Sequence, residues 1–172
     1  KLLPLIAAND NGNNRQIIFG TDFDKEDYLR RLAEIFPAFR IRLIAYCLMS
    51  NHCHLMLQDA LGGNLSSAMH LLQGGYAQTW NRRNGRSGSI YERRYHAEPI
   101  QNDGHLLTGS LYIHNNPREA GIVNQAAEYR WSSIGAYLRG QADAAVWSEP
   151  VLDLCGGVSE YSSLLAEYSE GD

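Results

Sequence analysis

The chain has 172 residues, 44% of them hydrophobic and 20% charged, the balance of an ordinary globular protein long enough to bury one core. No apolar run approaches the roughly 20 residues that span a bilayer, and the opening KLLPLIAAND is too short for a secretory signal and lacks a cleavage-site pattern. Cys47, Cys53 and Cys155 are odd in number and without CxxC spacing, so a disulfide framework is not expected and a reducing cytoplasm is. In chain order, Leu2 to Ala8 reads as a strand, followed by the polar loop NDNGNNR. Asp22 or Asp24 caps a helix in which Tyr28, Leu29, Leu32, Ile35 and Phe36 follow helical spacing until Pro37 stops it. Arg40 to Met49 is a strand, Ser50-Asn51 a tight turn, and His52 to Gln58 its hairpin partner. Asn64 caps a long helix with Leu65, Met69, Leu72, Tyr76 and Trp80 on its apolar stripe, ending near Asn84-Gly85. Tyr95 to Ile100 is a fourth strand, and Asp103 caps a third helix that runs to about Asn116 and stops before Pro117.

That order is the split βαβ, ferredoxin-like pattern, an α+β fold with a mainly antiparallel sheet and helices expected on one face. Residues 1–124 read as the core and 125–172 as a C-terminal extension packed on it, with Trp131 as its anchor and Ser132 and Ser133 as caps. Charge is uneven. The seven acids of residues 141–172 meet no Lys or Arg, and setting them aside turns a net −4 into +3 for the rest. Within that rest, WNRRNGRSGSIYERRY (Trp80 to Tyr95) holds five arginines against one glutamate, with aromatic rings interleaved. Arginines track phosphates and rings stack on unpaired bases, so the segment points to nucleic acid despite the acidic total. Trp80 and Tyr76 lie on the apolar stripe and belong to the core.

The run YCLMSNHCHLML (Tyr46 to Leu57) places two histidines in an otherwise apolar strand. Alternation puts His52, His54, Met56 and Gln58 on one face, and Cys53, Leu55 and Leu57 on the other, core face. Two imidazoles at i and i+2 can share one divalent ion, yet two ligands alone do not define a site, and HxH also arises in a hairpin with each ring hydrogen-bonded. The third helix carries a polar stripe of His105, Thr108, Tyr112 and Asn116, which either faces water or offers an amide oxygen to a metal beside a phenol. His105 and His114 read as surface histidines of that helix.

AYCLMSNHCHLML resembles the LMPNHVHL-type motif of the single-tyrosine HUH transposases, and LYIHNNPREAGIV resembles the YIxxNPxRAGLV segment that carries their nucleophile. GNNRQIIF (Gly12 to Phe19), NRRNGRSGSIYERRY (Asn81 to Tyr95) and EYRWSSIGAYL (Glu128 to Leu138) are similar to the branch called REP-associated tyrosine transposases, so the resemblance spans about residues 12–140 in order. It implies Tyr112 as nucleophile, His52, His54 and Asn116 as metal ligands, and Mg²⁺ or Mn²⁺ as the cofactor. The basic, aromatic segment makes Arg82, Arg83, Arg93 and Arg94 the expected DNA contacts, with Arg15 beside GNN next and Arg118 placed to meet either phosphate or the end of its own helix; the resemblance implies single-stranded hairpin DNA as the partner. Ser50 stands where proline is usual, Cys53 at the middle HUH position and His96 where a lysine is common. The implied activity is cleavage and rejoining of single-stranded DNA through a 5′-phosphotyrosine, in a monomer or a dimer, in the cytoplasm and at the nucleoid when DNA is bound. Two rivals remain: a hairpin DNA or RNA binder on the same fold, and a metal-dependent phosphoesterase that uses water and spares Tyr112.

Overall fold

The computed structural model describes residues 5–12, 16–60, 62–92, 94–140 and 146–168, with the strand at 5–11 described as backbone. Its sheet has four antiparallel strands in the order β2-β3-β1-β4, the ferredoxin-like order: β1 (Leu5–Asn11), β2 (Ile41–Leu48), β3 (His52–Asp59) and β4 (His96–Pro99). β1 runs further into the polar stretch than expected, through Asn11, because β3 pairs with it to that residue, while β4 pairs as far as Asn9, which faces His54 on one side and His96 on the other. This pairing outweighs the low strand preference of Asn and Asp. Pro99 ends the short edge strand β4, where its missing amide takes no bond from the ladder.

Helix α1 (Asp22–Ala38) begins at Thr21, not at either expected aspartate. The Thr21 hydroxyl accepts from the Asp24 amide at 3.2 Å and the Asp24 carboxylate accepts from the Thr21 amide at 2.8 Å, a reciprocal capping box. Pro37 lies inside the last turn, and the chain leaves through Arg40 at φ 55°. Helix α2 (Leu65–Arg83) starts at Asn64, but the Asn64 side chain does not cap it. Asp59, at the end of β3, accepts from the amides of Asn64 and Leu65 at 2.9 and 3.2 Å. Helix α3 (Asp103–Glu119) is capped by Asn102, whose side chain accepts from the His105 amide at 2.8 Å, and it continues past Asn116 through Pro117 to Glu119. A proline in the last turn removes only one intrahelical bond, so it does not end the helix in front of it.

The helices occupy both faces of the sheet, which corrects the one-face expectation. α1 and α2 cover Leu43, Tyr46, Leu48, Cys53, Leu55 and Leu57, around a trio of Phe19, Tyr28 and Tyr76 whose ring centroids lie 4.9 to 5.3 Å apart. Tyr76 is fully buried and Trp80 nearly so, as their spacing predicted. α3 covers the opposite face with Ile44, Ala45, Cys47 and Met56, and there the C-terminal segment joins it: α4 (Ile134–Arg139), α5 (Glu149–Cys155) and α6 (Val158–Glu167). A bulge at Leu43/Ala45 sets this up. One extra residue in β2 lets Ile44 and Ala45 both serve the α3 face, while Tyr46 and Leu48 return to the α1/α2 face.

The outer edge of β2 is not left open. The Leu48 amide donates to the Trp131 carbonyl at 2.8 Å, the Ser133 amide to Tyr46 at 3.0 Å and the Trp147 amide to Leu43 at 2.7 Å. Trp131 thus anchors the C-terminal segment, and covering an edge in this way blocks pairing with other chains. Ser133 precedes α4 without capping it; its hydroxyl accepts from the Tyr46 amide at 2.9 Å and meets His114. His114 is itself a correction. It is 0% exposed, not a surface histidine, because hydroxyls from distant parts of the chain close over both ring nitrogens.

Candidate active site

The tight turn at Ser50-Asn51 brings β3 back along β2, and pleating directs His52 and His54 to the α3 side of the sheet. Their ring centroids are 4.9 Å apart and the rings meet edge to face. His54 is 7% exposed and His52 half-buried. Burial lowers the His54 pKa to about 3, with the neighbouring His52 adding to the effect. Burial also lowers that of His52, opposed by a hydrogen bond to the Asn116 side chain. Both imidazoles are therefore neutral at ordinary pH and can offer a nitrogen lone pair.

Asn51, which sequence reasoning treated only as a turn residue, places Oδ1 2.7 Å from His52 Nδ1. An amide oxygen accepts, so Nδ1 carries the proton and Nε2 is left as the donor atom for a ligand. This is the outer contact that ligating histidines commonly make. Its position directly before the first histidine was the signal that could have found it.

Helix α3 brings the remaining two residues to the pair. The Tyr112 ring lies edge to face on His54 with centroids 5.3 Å apart, and the Asn116 side chain, one turn later, is brought to His52. The structure thus assembles His52, His54, Tyr112 and Asn116 in one place. A cavity of about 320 Å³ opens beside them, walled by His54, Met56, Glu98, His105, Thr108 and Tyr112, so the polar stripe of α3 faces a hollow. Gly109 faces the end of the Met56 side chain, whose methyl carbon would have to move aside for a Cβ standing 2.8 Å away.

Among the described residues no three His, Cys, Asp or Glu side chains are grouped to hold a metal. A divalent ion here would have to take an amide as its third donor, and Asn116 is in place. Two neutral imidazoles, one of them fixed in tautomer by Asn51, and one amide oxygen form a mixed set suited to a first-row divalent ion or Mg²⁺, with positions left for oxygen ligands. The donor chemistry fits.

The arginines divide. Arg82 and Arg94 are exposed. Arg83 pairs with Asp24, the capping carboxylate of α1, and its guanidinium stacks 4.3 Å from the Phe23 ring centroid. Arg118 is turned onto the end of α6, donating to the carbonyls of Leu165, Ala166 and Tyr168 and pairing with Glu119 at 3.0 Å. Arg15 and Arg93 lie outside the described residues. His96, in the place of the usual lysine, pairs with Glu98 at 2.8 Å on the exposed edge strand.

This fold is shared with known proteins. A structure described as the REP-associated tyrosine transposase bound to a REP hairpin superposes with a TM-score of 0.66 and 19% identity, over 91% of this chain and 94% of that one. A protein described as a transposase from Deinococcus radiodurans R1 aligns over 67% of this chain and 92% of its own at 15% identity, with a TM-score of 0.47. No curated protein matches. The fold is therefore that of the REP-associated tyrosine transposase. A model of the IS200-like transposase family matches residues 11–116, and the chain belongs to that family.

Proposed function

We propose that the protein cuts and rejoins single-stranded DNA beside a hairpin, with Tyr112 as nucleophile, and that it belongs to the REP-associated branch of its family. The observation that carries this reading is the cluster itself: Tyr112 against His54 and Asn116 on His52, from one strand and one helix of the same chain. The enzyme is proposed to act as a monomer, its tyrosine serving the histidines of its own chain. The bound REP hairpin of the structural relative supports a hairpin partner.

His52, His54 and Asn116 would hold Mg²⁺ or Mn²⁺. When bound, the ion supplies a Lewis acid that withdraws charge from the scissile phosphate. Tyr112 gives up its hydroxyl proton as it attacks, and the departing 3′ oxygen takes one up. Its Oη forms a bond to phosphorus while the bond from phosphorus to the 3′ oxygen breaks, and that oxygen leaves as a 3′-OH. The 5′-phosphotyrosine keeps the energy of the phosphodiester, so another 3′-OH can reverse the step without ATP. Arg82 and Arg94 are proposed to contact phosphates away from the reacting centre.

The test is incubation with end-labelled single-stranded hairpins and Mn²⁺ or Mg²⁺, followed by a denaturing gel. A covalent protein–DNA adduct that needs metal and disappears in Tyr112→Phe and His54→Ala is the expected result. Hairpin binding with neither adduct nor nicking would leave a non-catalytic binder. Nicking that persists in Tyr112→Phe would indicate hydrolysis by water.

A further inference from the structure

The side of α3 that faces away from the candidate site holds an unusual amount of buried polar structure. Helical geometry advances roughly 100° per residue, so His114 stands about 200° from both Tyr112 and Asn116, nearly opposite the two of them. Its ring is fully buried and hydrogen-bonded at both nitrogens, 2.7 Å from the Tyr161 hydroxyl on α6 and 2.7 Å from the Ser133 hydroxyl ahead of α4.

One assignment of protons satisfies every bond of the His114 ring and leaves the Ser133 hydroxyl no proton for its longer 3.3 Å approach to the Tyr46 carbonyl. Ser110 donates to the Leu107 carbonyl at 2.7 Å and so accepts from the Tyr161 hydroxyl at 3.2 Å. Tyr161, having donated, accepts from His114 Nδ1–H. His114 Nε2 then accepts from the Ser133 hydroxyl, whose oxygen accepts from the Tyr46 amide of β2 at 2.9 Å. The chain of bonds runs in one direction, from β2 through α3 to α6 and back onto α3. Tyr137 packs against the imidazole with centroids 4.6 Å apart and donates to the Ile44 carbonyl at 2.9 Å, closing the other side.

We propose that His114 is a positioning residue, and that Tyr161 and Ser133 act through it to fix the rotation of α3 and hence where Tyr112 and Asn116 meet the β3 histidines. This rests on the function proposed above. Apolar contacts alone let a helix turn by small angles at little cost, whereas two directional bonds at its buried side do not. A rotation that moves Tyr112 by about 1 Å is enough to cost on the order of 100-fold in rate. The C-terminal segment would then act on the site through α3, in addition to lining the cavity beside it with Tyr168.

Tyr161→Phe removes one hydroxyl with almost no change in volume, and Ser133→Ala removes the other. His114→Gln retains a donor and an acceptor, whereas His114→Leu retains neither. Two quantities are read. The first is the tyrosine NMR spectrum of the whole protein without DNA or metal, with the Tyr112 signal assigned by its loss in Tyr112→Phe. The second is the single-turnover rate of adduct formation beside the hairpin affinity. We expect the Tyr112 signal to shift in Tyr161→Phe and Ser133→Ala, and the rate to fall tenfold or more while hairpin affinity stays within twofold. His114→Gln is expected to recover part of what His114→Leu loses. An unchanged Tyr112 signal in both hydroxyl variants overturns the proposal, whether or not their melting temperatures fall. So does a rate that drops only in step with affinity. If the wild-type protein forms no adduct with any hairpin, the functional reading fails, and the Tyr112 signal alone then decides whether the network positions the helix.

Discussion

The two faces of the sheet bury their surfaces by different means. Against α1 and α2 the interior is mainly aliphatic and aromatic, and its buried carboxylates are answered singly, Asp24 and Asp27 by arginines and Asp59 by the first amides of α2. Against α3, the interior takes in His54, Ser110, His114, Asn115 and Ser133. A buried polar atom costs free energy unless it is bonded, so the second face is stable only in arrangements that satisfy particular directions. The first face therefore draws its stability chiefly from apolar packing, with its directional bonds mostly at the helix starts, whereas on the second face they run through the middle. The candidate site is on the second.

Variants on either side should separate these roles. Tyr112→Phe is expected to give the largest effect, a loss of adduct formation of ~10⁴-fold or more with the melting curve nearly unchanged, as for removal of other enzymatic nucleophiles. A comparable fall in stability would mean that the phenol serves the fold. On the opposite face, Leu55→Ala should cost about 2–5 kcal/mol by urea unfolding, since the side chain is 1% exposed and leaves a cavity. Its adduct rate per folded molecule should be retained, and a specific loss of rate would erase the distinction between the faces. Asn51→Ala should raise the Mn²⁺ concentration for half-maximal activity by about 10–100-fold, the usual effect of removing a ligand's outer partner. An unchanged metal requirement would remove Asn51 from the site.

The smallest effect concerns acid. Burial opposes ionisation of Asp27, but hydrogen bonds from Arg31 at 2.9 Å and Arg30 at 2.6 Å outweigh it and hold the carboxyl below its ordinary range. A depressed carboxyl pKa contributes stability above the unfolded value, which the folded state loses as pH falls through its own, lower value. Between pH 5 and 3 the wild-type melting temperature should fall more than that of Asp27→Asn, by about 2–4 °C at most. Equal acid sensitivity would show that the rim pairs contribute nothing measurable.

Much of the apolar face was legible in the sequence, because periodicity reports burial directly: Leu72, Tyr76 and Trp80 recur at helical spacing and are buried. The two histidines were legible as a strand pair, while Tyr112 and Asn116 gained their roles from the resemblance of the surrounding motif. What stayed hidden depends on partners far along the chain. His114 looks like a surface residue until Tyr161, 47 positions later, and Ser133, 19 positions later, are folded onto it. Arg83 and Arg118 carry the charge expected of phosphate contacts, but Asp24 and the end of α6 lie within their reach. Caps failed for a local reason. The run GTDFD offers three acceptors in four residues, and only the true start of the helix decides among them.

The bulge in β2 has a consequence for how the chain tolerates change in length. Because Ile44 is the extra residue, Leu43 and Ala45 already pair with the adjacent Leu57 and Met56, and removing Ile44 would leave every other partner across the hairpin in place. What would go is a docking point: the Ile44 carbonyl receives the Tyr137 hydroxyl, and the neighbouring Leu43 carbonyl receives the Trp147 amide. A single-residue deletion at this position thus separates two structural roles that the sequence runs together, the hairpin that carries the histidines and the docking of the C-terminal segment upon it.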